Sequence, residues 1–274
     1  MYILLSPAKS LDFTRDFPAA PHGAVVPRFN TQTKALHNVL KALSAKEIAD
    51  LMHISPKLAQ LNYERFQDWS GNYNKQALTP ADDKNFDIAL SAFIGDVYKS
   101  FDLESYTTKD WQYADEHIGI LSGFYGLLSP LTYMRPYRLE MGTRLSFNVK
   151  GKEYKNLYEY WSDDIVTYIN QILTEKKITD RIVLNLASIE YAKAADLKSI
   201  DGKVITVDFK VDKGDGNLKT IGIHAKKSRG ALANLIVQKR IETIEELCKT
   251  KPLGFTYKKS LSTESVLVFV KKIF

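Results

Sequence analysis

The sequence predicts a mixed α/β (α+β) fold, a central sheet with flanking helices, preceded by a helical N-terminal part. Three observations predict it. Apolar, strand-like runs recur along the chain and end alike, at serine and other small residues. Helical apolar spacing runs from Thr31 to about Trp69, and a long amphipathic segment, LYEYWSDDIVTYINQILTE, occupies 157–175. With no repeat or low-complexity tract, residues 1–274 read as one domain.

The first run, ILLSPAK (3–9), passes from buried-looking residues into Ser6 and Pro7. Residues 15–30 (RDFPAAPHGAVVPRFN) carry three prolines and read as an irregular surface excursion. A helical subregion then spans about 31–116. Within it, Ser44-Ala45-Lys46-Glu47 is a capping box that opens a helix with Ile48, Leu51 and Met52 on one face. In LMHISPKLAQ (51–60), Ser55 caps a second helix and Pro56 takes its first position, where a missing N–H is harmless. Leu58, Leu61, Phe66 and Trp69 continue an apolar stripe, so residues 44–69 form two short helices joined by two or three residues. Residues 82–116, acidic and containing FIGDVYKSF, read as mostly helical.

The remaining runs are GILSGFYG (119–126), LNLASIEY (184–191) and IGIHAKKSRG (221–230), the last opening a helix, ALANLIVQKRI, at Gly230-Ala231. The chain closes on a hairpin, GFTYKKSLSTESVLVFVKK. Strands that end at small polar residues before helices are how an open α/β sheet lines a crevice at its strand ends. Each serine there is equally an ordinary helix cap. Four such endings in one chain point to a shared cleft.

Composition sets limits on function. With 45% hydrophobic and 26% charged residues the chain reads as an ordinary soluble globular protein. No apolar run reaches the length of a membrane span, and MYILLSPAKS has no basic leader, so no membrane association and a cytoplasmic location are expected. A single cysteine, Cys248, excludes an internal disulfide and fits a reducing compartment. Five scattered histidines offer no ligand spacing, so neither a metal site nor a cofactor is expected. From Glu190 to Phe274, 17 Lys and Arg face 10 Asp and Glu, while the rest of the chain is close to neutral. A basic C-terminal third suits a polyanion, and equally a solvated lysine-rich face.

Three constellations carry candidate chemistry. In GFYGLLSPLTYMRPYRLEMGTRL (123–145), Arg135, Arg138 and Arg144 sit among Tyr133 and Tyr137, a pattern that suits phosphate contact with stacking on bases or sugars. The alternative there is an arginine pair with Glu140 over core tyrosines. HAKKSRG places Lys226, Lys227 and Arg229 just before the expected helix start, where cations and free N–H groups would act together on an anion. Asp96 in IGDVY, Glu140 in RLEMG and Glu190 in ASIEY are the candidate general acids or bases, each with arginine pairing or helix capping as its structural alternative. No Walker loop, GxGxxG, GxSxG or HExxH is present.

Taken in order, ILLSPAKSLDF, FIGDVY, ILSGFYGLLSPL, PYRLEMGTRL, LYEYW, NLASIEY, HAKKSRG and LVFVKK resemble the YaaA family of bacterial peroxide-stress proteins over nearly the whole chain. The resemblance implies a cytoplasmic protein that resists hydrogen peroxide by limiting damage from unincorporated iron. It also implies DNA binding through a helix-hairpin-helix element and a basic cleft. Against the hairpin pattern Leu-Pro-Gly-Ile-Gly-Pro-Lys-x-Ala, this chain keeps Leu51, Ile54, Pro56, Lys57 and Ala59 and departs at Met52, His53 and Ser55. Ile54 would plug between the helices, Ala59 let them approach, and the hairpin N–H groups with Lys57 hold a phosphate. His53 and Ser55 carry side chains where glycine admits the DNA backbone, although histidine tolerates positive φ. The same segment reads as a structural corner, or as a helix-turn-helix offering Lys57, Gln60 and Glu64. The family pattern has arginine at Ser129 and glycine at Ser100.

The expected function is therefore largely sequence-independent binding of duplex or distorted, partly single-stranded DNA by a monomer without an obligate protein partner. His53, Ser55 and Lys57 would act at the hairpin, and Lys9, Arg135, Arg138, Lys226, Lys227 and Arg229 would line the groove. The alternative is an enzyme acting on a nucleobase or nucleotide in the same cleft, with Asp96, Glu140 or Glu190 moving protons and Tyr125 or Tyr137 stacking on the base.

Overall fold

The structure, a computed structural model, describes residues 1–17, 25–73, 86–175, 179–214 and 217–273. Part of the expected surface excursion (18–24) and the start of the acidic stretch (82–85) lie outside the described residues. Strand β1 (Tyr2–Leu5) precedes three helices, α1 (Asn30–Lys41), α2 (Ala45–Met52) and α3 (Pro56–Asp68). A short strand β2 (Asp87–Ile88) and a single helical turn α4 (Ala89–Ala92) lead to α5 (Thr108–His117). Strand β3 (Ile118–Ser122) follows, with its hairpin partner β4 (Gly126–Leu128) and then β5 (Tyr133–Met134). A small hairpin, β6 (Phe147–Val149) and β7 (Lys152–Tyr154), precedes the long helix α6 (Leu157–Glu175). Then come β8 (Ile182–Asn185), α7 (Ile189–Ala194), β9 (Lys203–Asp212) and β10 (Leu218–Lys219). The chain finishes with α8 (Gly222–Lys239), α9 (Ile244–Lys249), β11 (Thr256–Tyr257) and β12 (Val266–Lys272).

Among the described residues eight of these strands form one mixed sheet, ordered β11-β12-β9-β8-β1-β3-β4, with β10 antiparallel to the end of β9. The five central strands run parallel, and β11 and β4 cap the edges antiparallel. Every residue of β1 and β8 is buried, which is why these segments read as continuous apolar runs rather than alternating ones. From β1 the chain moves outward to β3, then returns across β1 to β8 and winds the other way through β9 to β12. The C-terminal ends of β1 and β8 are thus a topological switch point, where connections diverge and leave a crevice.

The local signals are reproduced in atomic detail. Ser44 and Glu47 close the capping box in both directions, and Ser55 Oγ accepts from Leu58 N with Pro56 at the first position of α3. The terminal hairpin pairs Thr256 with Val270 and Tyr257 with Phe269.

Four expectations are corrected. Residues 221–230 are not a strand: α8 already begins at Gly222, and Ala225, Ser228 and Leu232 turn a buried helical face inward while Ile223 is half exposed. Alternation of Ile221, Ile223 and Ala225 mimicked a strand, but the buried period is helical. Residues 86–116 are only partly helical. Between α4 and α5, buried Phe93, Tyr98 and Phe101 anchor a chain of turns, with Gly95 O accepting from Tyr98 N and Lys99 N. The run at 119–126 opens no helix, because Ser122 Oγ accepts from Phe124 N and Tyr125 N and Gly126 adopts φ +74°, turning the chain into β4. On α3 the core face is Ala59, Asn62, Phe66 and Trp69, and Leu58 and Leu61 are exposed.

Asp87 shows how the fold stores a charge. It is buried, its oxygens accept from Ile88 N at 2.6 Å and Ser91 Oγ at 2.9 Å, and desolvation raises its pKa to about 6 despite those bonds and the nearby Arg15. Because the folded value lies above the unfolded one of about 3.9, this group's contribution is complete at low pH and is lost as pH rises through 6. The Asp87→Asn variant is therefore expected to match wild type near pH 4 and to exceed it above pH 6, by on the order of 3 kcal/mol. Paired thermal melts across pH 4–8 read this difference; a gap that does not widen with pH defeats it.

Candidate functional site

The crevice at the switch point is built by segments far apart in sequence. The turn after β1 contributes Ser6 to Ser10, and the end of β8 contributes Leu186 and Ser188. The Gly95–Tyr98 turn, the 137–140 segment, the start of α7 and helix α8 complete the walls around roughly 410 Å³. At the floor the two strand ends are stitched together: Leu186 N donates to Leu4 O, Ser188 N donates to Ser6 Oγ at 2.8 Å, and Ser6 Oγ donates to Ser188 Oγ at 3.3 Å. Tyr98 OH donates to Ser6 O at 2.7 Å, tying the Gly95–Tyr98 wall to the same floor.

The crevice gathers both sets of residues that the sequence offered separately. Lys9, Arg138, Lys226 and Arg229 line it, and so do Asp96, Glu140 and Glu190. Glu140 is engaged twice, by Lys9 Nζ at 2.6 Å and Arg138 Nη2 at 3.3 Å. Glu190 Oε1 accepts from Gly142 N at 2.9 Å. The Asp96 carboxylate has no partner among the described residues. Arg138 and Arg229 each carry a buried Nε without a hydrogen-bond partner among the described residues, and burial lowers the Arg229 pKa with only partial compensation from Asp208. Four cations against three carboxylates make the crevice mildly basic rather than uniformly so.

Several expected residues lie elsewhere. Arg135 does not line the crevice; its guanidinium lies over the Phe86 ring, 5.7 Å from the centroid. Lys227 is exposed on α8 but outside the crevice. Lys226, Lys227 and Arg229 are also not at a helix start: they follow the first four residues of α8, so the N–H groups around them are consumed by the helix. Tyr125 cannot stack on a base, since it is wholly buried and its hydroxyl accepts from Trp69 Nε1 and Arg135 N. Tyr137 is nearly as buried, its hydroxyl paired with Ser122 Oγ at 2.7 Å, and it presents only part of its ring to the crevice.

The helix corner at 53–55 stands apart from the crevice. His53 adopts the left-handed conformation (φ 51°, ψ 50°) with its N–H donating to Ala49 O, so it fills the position where glycine would be expected. Ile54 packs partly into the core, Ala59 and Ile48 are buried between the helices, and His53, Ser55 and Lys57 are exposed. Arg65, which the sequence reading passed over, links the two places. It lies eight residues beyond Lys57 on α3, a rise of about 12 Å. Burial and the neighbouring Arg138 both lower its pKa. No carboxylate pairs with it among the described residues. Its only sequence signal is position, two turns along the helix from Lys57.

Comparison with known proteins places these features in a family. A family model described as "Peroxide stress protein YaaA" matches residues 1–261. A UPF0246 protein of Burkholderia cenocepacia is 41% identical over 273 residues, covering 100% of this chain and 99% of its own length. UPF0246 proteins of Burkholderia mallei and Burkholderia pseudomallei are each 40% identical over 272 residues, covering 99% of both chains.

Proposed function

The chain belongs to the YaaA family of peroxide stress proteins, and from that premise we propose that it is a cytoplasmic DNA-binding protein of the peroxide-stress response, helping limit damage from peroxide and unincorporated iron. It binds DNA largely without sequence preference, through the helix corner at 44–69 and the strand-end crevice. The observation that carries this reading is convergence: Lys9, Arg138, Lys226 and Arg229, from three distant parts of the chain, line one crevice. Arg65 is close enough to Arg138 to feel its charge, and while Glu140 engages Arg138, no carboxylate among the described residues pairs with Arg65, which favours an anion at that place. Exposed Lys57 at the start of α3 extends the cationic path along that helix.

Fluorescence anisotropy of labelled duplex and bubble DNA across a salt series tests it. Affinity should fall log-linearly with salt, and changing Lys226, Lys227 and Arg229 to alanine should weaken binding and flatten the slope by about 0.9 for each phosphate contact removed. Absence of binding at low salt, or binding indifferent to salt, overturns the proposal. A second reading, an enzyme acting on a nucleobase or nucleotide, is favoured by one observation: Asp96, Glu140 and Glu190 line the same crevice, and of the three only the Asp96 carboxylate has no partner among the described residues. Mass spectrometry of the DNA recovered from the same titrations separates the two, because binding alone leaves it chemically unchanged.

A further inference from the structure

The lip and the throat of the crevice differ in chemistry. Ile189 is the first residue of α7, set between Ser188 and Glu190, both of which line the crevice, and it is 91% exposed. The core face of α7 is supplied instead by Tyr191, Ala192 and Ala194, so Ile189 has no packing role in the fold. On the first turn of α8, Ile223 is 50% exposed, one turn before Lys226, which also lines the crevice. Isolated exposed apolar residues are ordinary; two isoleucines next in sequence or one turn from wall residues of one crevice that carries charged side chains are a shaped feature. Inside, among the described residues, the carboxylate of Asp96 has no partner and the Arg229 guanidinium has a buried Nε without one.

The size is decisive. A cavity of about 410 Å³ lies in the range of small-ligand sites, far too small to seat a duplex yet adequate for one base with its sugar. Proteins that draw a single base out of a stack use the three elements present here: cations on the flanking phosphates, a polar pocket for the base, and an apolar side chain that enters the stack in its place.

We infer that the crevice receives one nucleobase extruded from a mismatched or distorted strand, with Ile189 as the wedge that fills the vacated position and Asp96 as the acceptor for an exocyclic amino group. This rests on the DNA-binding reading and specifies what the crevice does within it. An amino-bearing base, adenine, cytosine or guanine, is favoured over thymine, because a carboxylate accepts from an amine and is repelled by a carbonyl oxygen.

The test uses duplexes with 2-aminopurine at a mismatch, whose fluorescence rises when it leaves the stack, together with anisotropy on the same samples to establish that DNA is bound. Wild type at saturation should raise the fluorescence several-fold. Ile189→Ala should lose most of the rise and weaken binding to the mismatched duplex only by the several-fold that extrusion contributes, and Ile189→Met should restore both; because Ile189 is almost wholly exposed, neither change threatens folding. Asp96→Ala should weaken binding to duplexes with an unpaired adenine or cytosine by about tenfold and leave an unpaired thymine unaffected. Saturated binding without a fluorescence rise overturns extrusion while leaving DNA binding intact. An equal rise with Ile189→Ala overturns the wedge. If 2-aminopurine deoxynucleoside monophosphate binds alone as tightly as the duplex does, the crevice is a free-nucleotide site and the inference fails. No anisotropy change at low salt removes both readings together.

Discussion

Replacing Gly230 by alanine is expected to destabilise the protein by about 2–4 kcal/mol, although alanine is the better helix former by about 1 kcal/mol. Gly230 lies inside α8, where the helix backbone meets the turn at Val97. A Cβ at this position would stand 1.8 Å from Val97 O and 2.7 Å from Val97 C. Those atoms are backbone, and the Val97 carbonyl is itself held by Ser100 N at 3.2 Å, so it cannot simply swing away. The methyl group is admitted only if α8 retreats by more than an ångström, which opens the contact and carries Lys226 and Arg229 off the crevice wall. Thermal unfolding followed by circular dichroism should show a fall of roughly 10 °C. A melting temperature equal to wild type would mean that the two backbones are not locked together.

The second large effect is expected at Trp161, on the helix α6. Its side chain is fully buried, lies tilted against Phe29 and edge-to-face with Tyr160, and donates from Nε1 to Gly123 O at 2.9 Å. Gly123 in turn lies so close to the 139–140 backbone that a Cβ would stand 2.5 Å from Leu139 O. The indole therefore fixes the turn against which Arg138 and Glu140 are positioned. Trp161→Ala should lose about 3–5 kcal/mol through the cavity and the orphaned carbonyl. Trp161→Phe, which keeps most of the volume, should lose about 1–3 kcal/mol through the carbonyl alone. Urea denaturation of the three proteins orders them. Equal stability of Trp161→Phe and wild type would remove the hydrogen bond from the account.

What the sequence made legible is what short-range physics controls. The capping box at Ser44 and Glu47, the cap and proline at Ser55 and Pro56, the bounds of the helix at 157–175 and the pairing of the terminal hairpin each depend on residues within a few positions of one another. The tolerance of His53 for positive φ was legible for the same reason. The start of α8 was not, because Ile221, Ile223 and Ala225 satisfy a period of two, while Ala225, Ser228 and Leu232 satisfy a helical one over a longer window. Only the neighbour on the other side selects between them, and here it is the Val97 carbonyl against Gly230. The core face of α3 was misjudged on the same ground: Leu58 and Leu61 are larger, but close approach of α2 selects Ala59.

The sequence by itself determined the family, the α/β class, the strand endings that would matter and most of the charged residues at issue. The tertiary structure decided which of those residues meet. Strand order brings the end of β1 beside the end of β8 and so joins Ser6 to Ser188 across 182 positions. It seats Asp96, Glu140 and Glu190 with four cations in one crevice, removes Arg135, Lys227 and Tyr125 from it, and leaves Ile189 in water at the lip. Hydrophobic burial fixes this arrangement without reading the polar residues it carries along. Their convergence is a property of how the sheet is wound, and no window of sequence contains it.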